Sequence, residues 1–118
     1  MNKEELKKRV KKFAHRCIKF CSKLPNTQLG RHISGQLIRC ATSAAANYRA
    51  VCIAQSRAAF ISKLAIVIEE TDESYFWTEF AADENLVKKQ QVIELLQEAQ
   101  ELTAIVVASQ NTARRNKK

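Results

Sequence analysis

Glycine occurs twice and proline once in this 118-residue chain, so the punctuation that cuts an all-β protein into short strands is nearly absent. Strong helix formers such as Ala, Leu, Lys, Glu and Gln take that space, and the composition predicts long helices. No stretch approaches the ~18 uninterrupted apolar residues that a membrane span needs. The opening residues, Met1 to Glu5, carry no charged-then-apolar leader, so a cytoplasmic location is expected. Acids are also missing from most of the first half: after Glu5 none occurs until Glu69. The length suits a single domain with one core.

Four cysteines, Cys17, Cys21, Cys40 and Cys52, raise the questions of disulfides and zinc. Without a secretion signal a disulfide framework is not expected. Cys40 and Cys52 are twelve residues apart, ~18 Å on one helix and on different sides of it, which suits zinc poorly. Reduced thiols acting as small hydrophobes are the expectation. A metal site on Cys17, Cys21 and His15 is the alternative. No cofactor is expected, since the chain has no Gly-rich phosphate loop, nucleophile elbow or metal-spaced His/Cys cluster.

Apolar periodicity predicts four helices over about 3–24, 28–54, 57–82 and 86–112, with a basic tail at 114–118. Asn2 is the expected N-cap of the first helix, with Glu5 as its capping-box partner and Pro25 as its stop. Leu6, Val10, Phe13, Cys17, Phe20, Cys21 and Leu24 form one stripe on it. Ile33, Leu37, Cys40, Ala41, Ala44, Tyr48 and Val51 form one on the second. Gly30 and Gly35 weaken the second helix's first turns, which marks either a close backbone approach or tolerance of a loose turn. Ser56 should cap the third helix; Asp83 and Asn85 should close the last loop and cap the fourth. Short links make this an all-α, antiparallel up-and-down four-helix bundle in a single domain over residues 1–113.

The third helix aligns Phe60, Leu64, Val67 and Thr71, yet Ile66, Trp77 and Phe80 point elsewhere. The fourth is apolar nearly all round at Leu102, Ile105, Val106 and Val107, and the second adds Ile38 and Ile53 opposite its main stripe. Helices that are greasy on two sides need two partners, so a homo-oligomer is expected.

Charge is unevenly placed. Residues 1–63 hold fourteen Lys or Arg and two acids, a balance of +12, whereas residues 64–118 balance at −4. Lys8, Lys12, Arg16, Lys19 and Lys23 step along the first helix by four, four, three and four, a ridge ~22 Å long that can track phosphates. Arg31, Arg39 and Arg49 extend the basic surface from the second helix, with Arg57 just beyond; Arg can grip phosphate with two N–H groups. RNA or DNA is the expected partner. Glu70 and Glu73 on the third helix form a carboxylate pair for which ion pairing with second-helix arginines is favoured over catalysis, because neither His15 nor His32 follows a Glu at Glu-x-x-His spacing. Ser43 and Asn47, four apart, are expected to bond across a helix contact to Glu70, Glu73 or a carbonyl.

Ser43, Asn47 and Tyr48, then Ser56, Arg57, Phe60, Lys63, Leu64 and Ile66, then Glu70, Glu73, Ser74 and Trp77 stand in this order behind a Lys23-Leu24-Pro25 helix end. The pattern resembles the four-helix-bundle family that includes the 23S ribosomal RNA intervening-sequence proteins and the accessory variability proteins of diversity-generating retroelements. Thr78, Glu79 and Phe80 depart from a more leucine-rich run in that family. The resemblance implies a homopentameric ring of bundles around a basic pore, binding nucleic acid and, in the retroelement branch, a reverse transcriptase. The expected function is therefore a non-enzymatic, oligomeric nucleic-acid-binding protein, an accessory factor of a retroelement being one form of it. A scaffold that docks a reverse transcriptase or a ribosome-associated partner is the alternative, and a carboxylate enzyme the remote one.

Overall fold

The computed structural model describes residues 1–116, and its helices are α1 (Lys3–Cys21), α2 (Gln28–Cys52), α3 (Arg57–Asp83) and α4 (Ile93–Arg115), with one 3-10 turn at Lys89–Gln91 and no strand among the described residues. Each helix packs against its chain neighbours and α4 returns beside α1, where contact is sparsest. The result is an elongated antiparallel bundle of 51 × 20 × 19 Å.

Local chemistry sets most of the ends. Asn2 and Glu5 form the reciprocal capping box, Glu5 N–H donating to Asn2 Oδ1 at 2.9 Å and Asn2 N–H to Glu5 Oε1 at 3.2 Å. Thr27 and Ser56 cap α2 and α3 through their hydroxyls, satisfying donors a helix start leaves open. α1 ends at Cys21 rather than at Leu24. The residue before Pro25 is pushed out of helical geometry, and Lys23 and Leu24 N–H make tight turns to the carbonyls of Phe20 and Cys21.

The largest departure is at α4, which begins at Ile93 and not near residue 86. Asn85 takes a left-handed φ of 59°. Its N–H bonds Ala82 O at 2.9 Å and Leu86 N–H bonds Ala81 O at 3.0 Å, the paired closure that turns a chain off a helix end. Asn85 thus terminates α3 instead of capping α4. Residues 86–92 then cross the end of the bundle, with Leu86 and Val87 packed on the core and Val92 buried. At the other end α4 runs through Arg114 and Arg115, so these belong to a helix and not to a tail; Lys117 and Lys118 lie outside the described residues.

All seven stripe residues of α2 are buried, as are those of α1 apart from the half-buried Leu24. Phe13, Ile33, Leu37, Leu64 and Leu102 are the largest fully enclosed side chains, and truncating one such as Phe13 to Ala costs about 3–5 kcal/mol. The expected second apolar face shrinks on folding. Leu102 and Val106 are in the core, and Trp77, Phe80 and Ile105 pack partly against it. The large apolar side chains still exposed include Ile18, Ile38, Ile53, Phe76 and Ile93.

The two glycines separate. A Cβ on Gly30 would collide with the Pro25 carbonyl oxygen, whereas one on Gly35 meets nothing within 4 Å. Close backbone approach explains the first and tolerance the second.

Candidate nucleic-acid interface

Lys8, Lys12, Arg16 and Lys19 lie on the flank of α1 turned from its buried stripe, Lys8, Lys12 and Lys19 exposed and Arg16 half-buried. Because α1 stops at Cys21, the helical part of the ridge spans ~17 Å, and exposed Lys23 continues it from the following turn. Arg16, Lys19 and Lys23 border a shallow groove of about 320 Å³ with Phe20, Gln91, Glu94 and Leu95. α4 therefore places the Glu94 carboxylate beside cations more than seventy residues away from it in sequence.

Folding brings α4 acids to another α1 cation that sequence reasoning passed over. Arg9 donates from Nε to Glu98 at 2.8 Å and from Nη2 to Glu98 at 2.6 Å and Glu101 at 2.9 Å. The hydrogen bonds to Glu98, working against the desolvation of a partly buried group, hold its charge well above the ordinary arginine range. Arg9 is thus the clamp between α1 and α4. The spacing of Glu98 and Glu101, three apart on α4, is a signal that a search for cross-helix partners could have used.

Arg39 has a parallel role on the other side. Its guanidinium reaches Glu70 at 3.2 Å and also Glu73, the α2–α3 ion pairing that the charge pattern favours. Glu73 further accepts from Trp77 Nε1 at 3.1 Å. Burial pushes the Glu73 carboxyl up, but bonds from Trp77 and Arg39 with the nearby arginine charge outweigh it and leave the group below its ordinary value. Of the eight cations expected to meet nucleic acid, Arg39 alone has its charge answered by carboxylates among the described residues. Arg31 is exposed, and its guanidinium donates to Asn26, at 3.0 Å to the side chain and 3.3 Å to the carbonyl.

Arg49 and Lys8 meet elsewhere. With Glu4, Lys7 and Lys11 they rim an open groove of about 600 Å³ between α1 and α2, whose floor holds Ala45 and Ala46. Lys7 and Lys11 were not among the expected contacts. Their spacing of four, opposite a pair of alanines on the next helix, was the legible sign.

The polar side chains between the helices bond to one another and to backbone carbonyls. Ser43 and Asn47 bond to each other within α2, Asn47 Nδ2 donating to the Ser43 carbonyl at 2.9 Å and hydroxyl at 3.1 Å, and not across a helix contact as expected. The cross-helix bonds belong to other pairs: Thr71 with Thr103 at 2.8 Å, Cys40 with Ser74 at 3.2 Å, and Gln110 Nε2 to Ile61 O at 3.2 Å. Burial pushes the Cys17 thiol far up and that of Cys40 to about 11, so both stay protonated. No group of three His, Cys, Asp or Glu converges to hold a metal among the described residues. No described helix is long and apolar enough to cross a membrane.

The fold and surface define a class: a four-helix bundle with a cation-rich face from its first two helices. The chain belongs to the 23S rRNA-intervening sequence protein family, whose model matches residues 2–108. It is also similar to the crystal structure of a protein of unknown function from the S23 ribosomal protein family of Bacteroides thetaiotaomicron. The TM-score is 0.81 at 30% identity, over 87% of this chain and 95% of that one. No curated protein matches the chain significantly.

Proposed function

We propose that this chain is a non-enzymatic, cytoplasmic nucleic-acid-binding protein that acts as a homo-oligomer and takes RNA or DNA phosphates along α1. One observation carries the reading. Lys8, Lys12, Arg16, Lys19 and Lys23 have no ion-pair partner among the described residues, while Arg9 on the same helix and Arg39 on α2 are neutralised by carboxylates. Unanswered charge on one flank releases counterions on binding a polyanion, with strong salt dependence and little sequence preference. The family's description, naming a ribosomal RNA, supports the same class of partner. Exposed Ile53, Phe76 and Ile93 support assembly, and a ring would repeat the ridge into a continuous basic surface. The resemblance makes the ring a pentamer, and its retroelement branch adds a reverse transcriptase as a second partner.

Fluorescence anisotropy with a structured RNA at two salt concentrations tests this. The reading expects affinity to fall steeply with salt and to be largely lost in the triple variant Lys12→Glu, Arg16→Glu, Lys19→Glu. Equal affinity in the variant and the parent protein removes the ridge as the contact.

A further inference from the structure

Two surfaces of the molecule complement each other in charge and spacing. The first continues the α1–α2 groove. Cys21 Sγ meets the Ser34 carbonyl at 3.8 Å, which sets the register of the two antiparallel helices. Three residues before Cys21 stands Ile18 and four after Ser34 stands Ile38, ~5–6 Å down each helix and so at nearly one level. Both share flanks with groove residues two turns away, Ile18 with Lys11 and Ile38 with Ala45. They are 42% and 38% exposed. Lys11 lies seven residues from Ile18 toward one end of the bundle, and Arg31 lies seven from Ile38 toward the other. The groove thus has an apolar centre with a cation ~10 Å to either side, neither paired with a carboxylate among the described residues.

The second surface is the outward face of α3. Glu69, Asp72, Phe76, Glu79 and Asp83 recur at intervals of three, four, three and four, one straight seam, and all five are exposed. Phe76 is 48% exposed and is held by Trp77, edge-on at 4.9 Å, and Phe80, stacked at 5.7 Å. It is a fixed aromatic anchor of the kind that carries interfaces. Glu69 and Asp83 lie seven residues to either side of it, matching the ~10 Å offsets of Lys11 and Arg31. The carboxylates around Phe76 repel phosphate, so a base stacking there is disfavoured and a basic protein surface is the fitting occupant.

We propose that the α3 seam of a second copy docks in the α1–α2 groove, Phe76 entering between Ile18 and Ile38 while Glu69 and Asp83 meet Lys11 and Arg31. The pairing of Glu69 with one cation and Asp83 with the other is set by the direction in which the seam lies. This rests on the self-assembly reading above and names its contact. The two surfaces differ, so the contact is heterologous and runs head to tail, closing into a ring or extending into a filament. α1 and α3 occupy opposite corners of the bundle, each packed on α2 and α4, so one molecule can use both surfaces at once. Arg16, Lys19 and Lys23 border the α1–α4 side instead and stay open to phosphate in the assembly.

The test uses two single variants of the full chain in sedimentation velocity, Ile38→Asp to block the groove and Phe76→Asp to block the seam. Both positions are partly exposed, and thermal melts confirm that each variant folds. The proposal expects an assembled parent protein, a monomer for each variant alone, and a dimer that grows no further when the two are mixed. An assembled parent with variants that remain assembled, or with a mixture that stays monomeric, overturns this contact and leaves self-assembly standing. A parent protein that is monomeric at micromolar concentration overturns self-assembly and this contact together.

Discussion

The α1 ridge and the α2–α3 seam hold the same residue types and differ in what folding gives them as neighbours. At the seam, Arg39 meets Glu70 and Glu73; on the ridge, Lys12, Arg16 and Lys19 meet no carboxylate within ion-pair distance among the described residues. Cations counted along a chain are therefore a poor measure of the charge available to a ligand. Arg39 is spent on holding two helices together, and the lysines hold nothing.

That contrast can be broken most forcefully on the ridge. Reversing Lys12, Arg16 and Lys19 to Glu is expected to lower RNA affinity by roughly 100-fold or more at low salt, since each lost phosphate contact removes about 0.9 from the log–log salt slope. Anisotropy titrations at several salt concentrations measure both quantities. In Arg39→Ala the same titration should change by less than about twofold, and stability by less than about 1 kcal/mol, because the pair is half-exposed and screened.

The two glycines sharpen the comparison on the backbone. Gly30→Ala is expected to destabilise by more than about 1 kcal/mol in urea melts, because the new methyl meets the rigid Pro25 carbonyl. Gly35→Ala, facing open space, should stabilise α2 by roughly 0.5–1 kcal/mol.

Arg9→Ala removes the α1–α4 clamp and strands Glu98 in a partly enclosed position. A loss of about 1–2 kcal/mol is expected, again by urea melts, larger than for Arg39→Ala because Glu98 cannot recover full hydration.

The smallest effect is at Glu73. Its folded-state carboxyl titrates below the ordinary value, so its stabilising contribution is complete above the unfolded value of about 4.3 and fades as pH falls through the lower folded value. Comparing Glu73→Gln with the parent protein by thermal melts across this range should show a small deficit near neutrality that closes in acid. A deficit unchanged by pH would mean that the Trp77 and Arg39 bonds do not favour the charged form.

Legibility in the sequence followed the range of the interaction. The Asn2–Glu5 box, the Ser56 cap and the α1 and α2 stripes depend on residues within a few positions of each other, and helical spacing alone exposes them. Spacing places the α4 start too early, because Asn85 can serve either as a helix opener or as a left-handed closer. Packing of half-buried Leu86 and Val87 and buried Val92 against the core selects the second role. The spacing of Ser43 and Asn47 points to partners on another helix, yet the Ser43 carbonyl and hydroxyl lie nearer, one turn away. At the candidate interface, the ridge could be read from its spacing, while Arg9, Lys7 and Lys11 acquired their significance only from α4 and α2.

By itself the sequence determined an all-helical chain of four segments, the first two plainly amphipathic, with an acid-poor basic half, because helix propensity, capping and 3.6-residue periodicity act over a turn or two. Only the tertiary structure decided which cations are answered by carboxylates, which greasy residues are covered and which glycine is indispensable. Those outcomes depend on distances between helices, and sequence separation does not encode how close two helices will come.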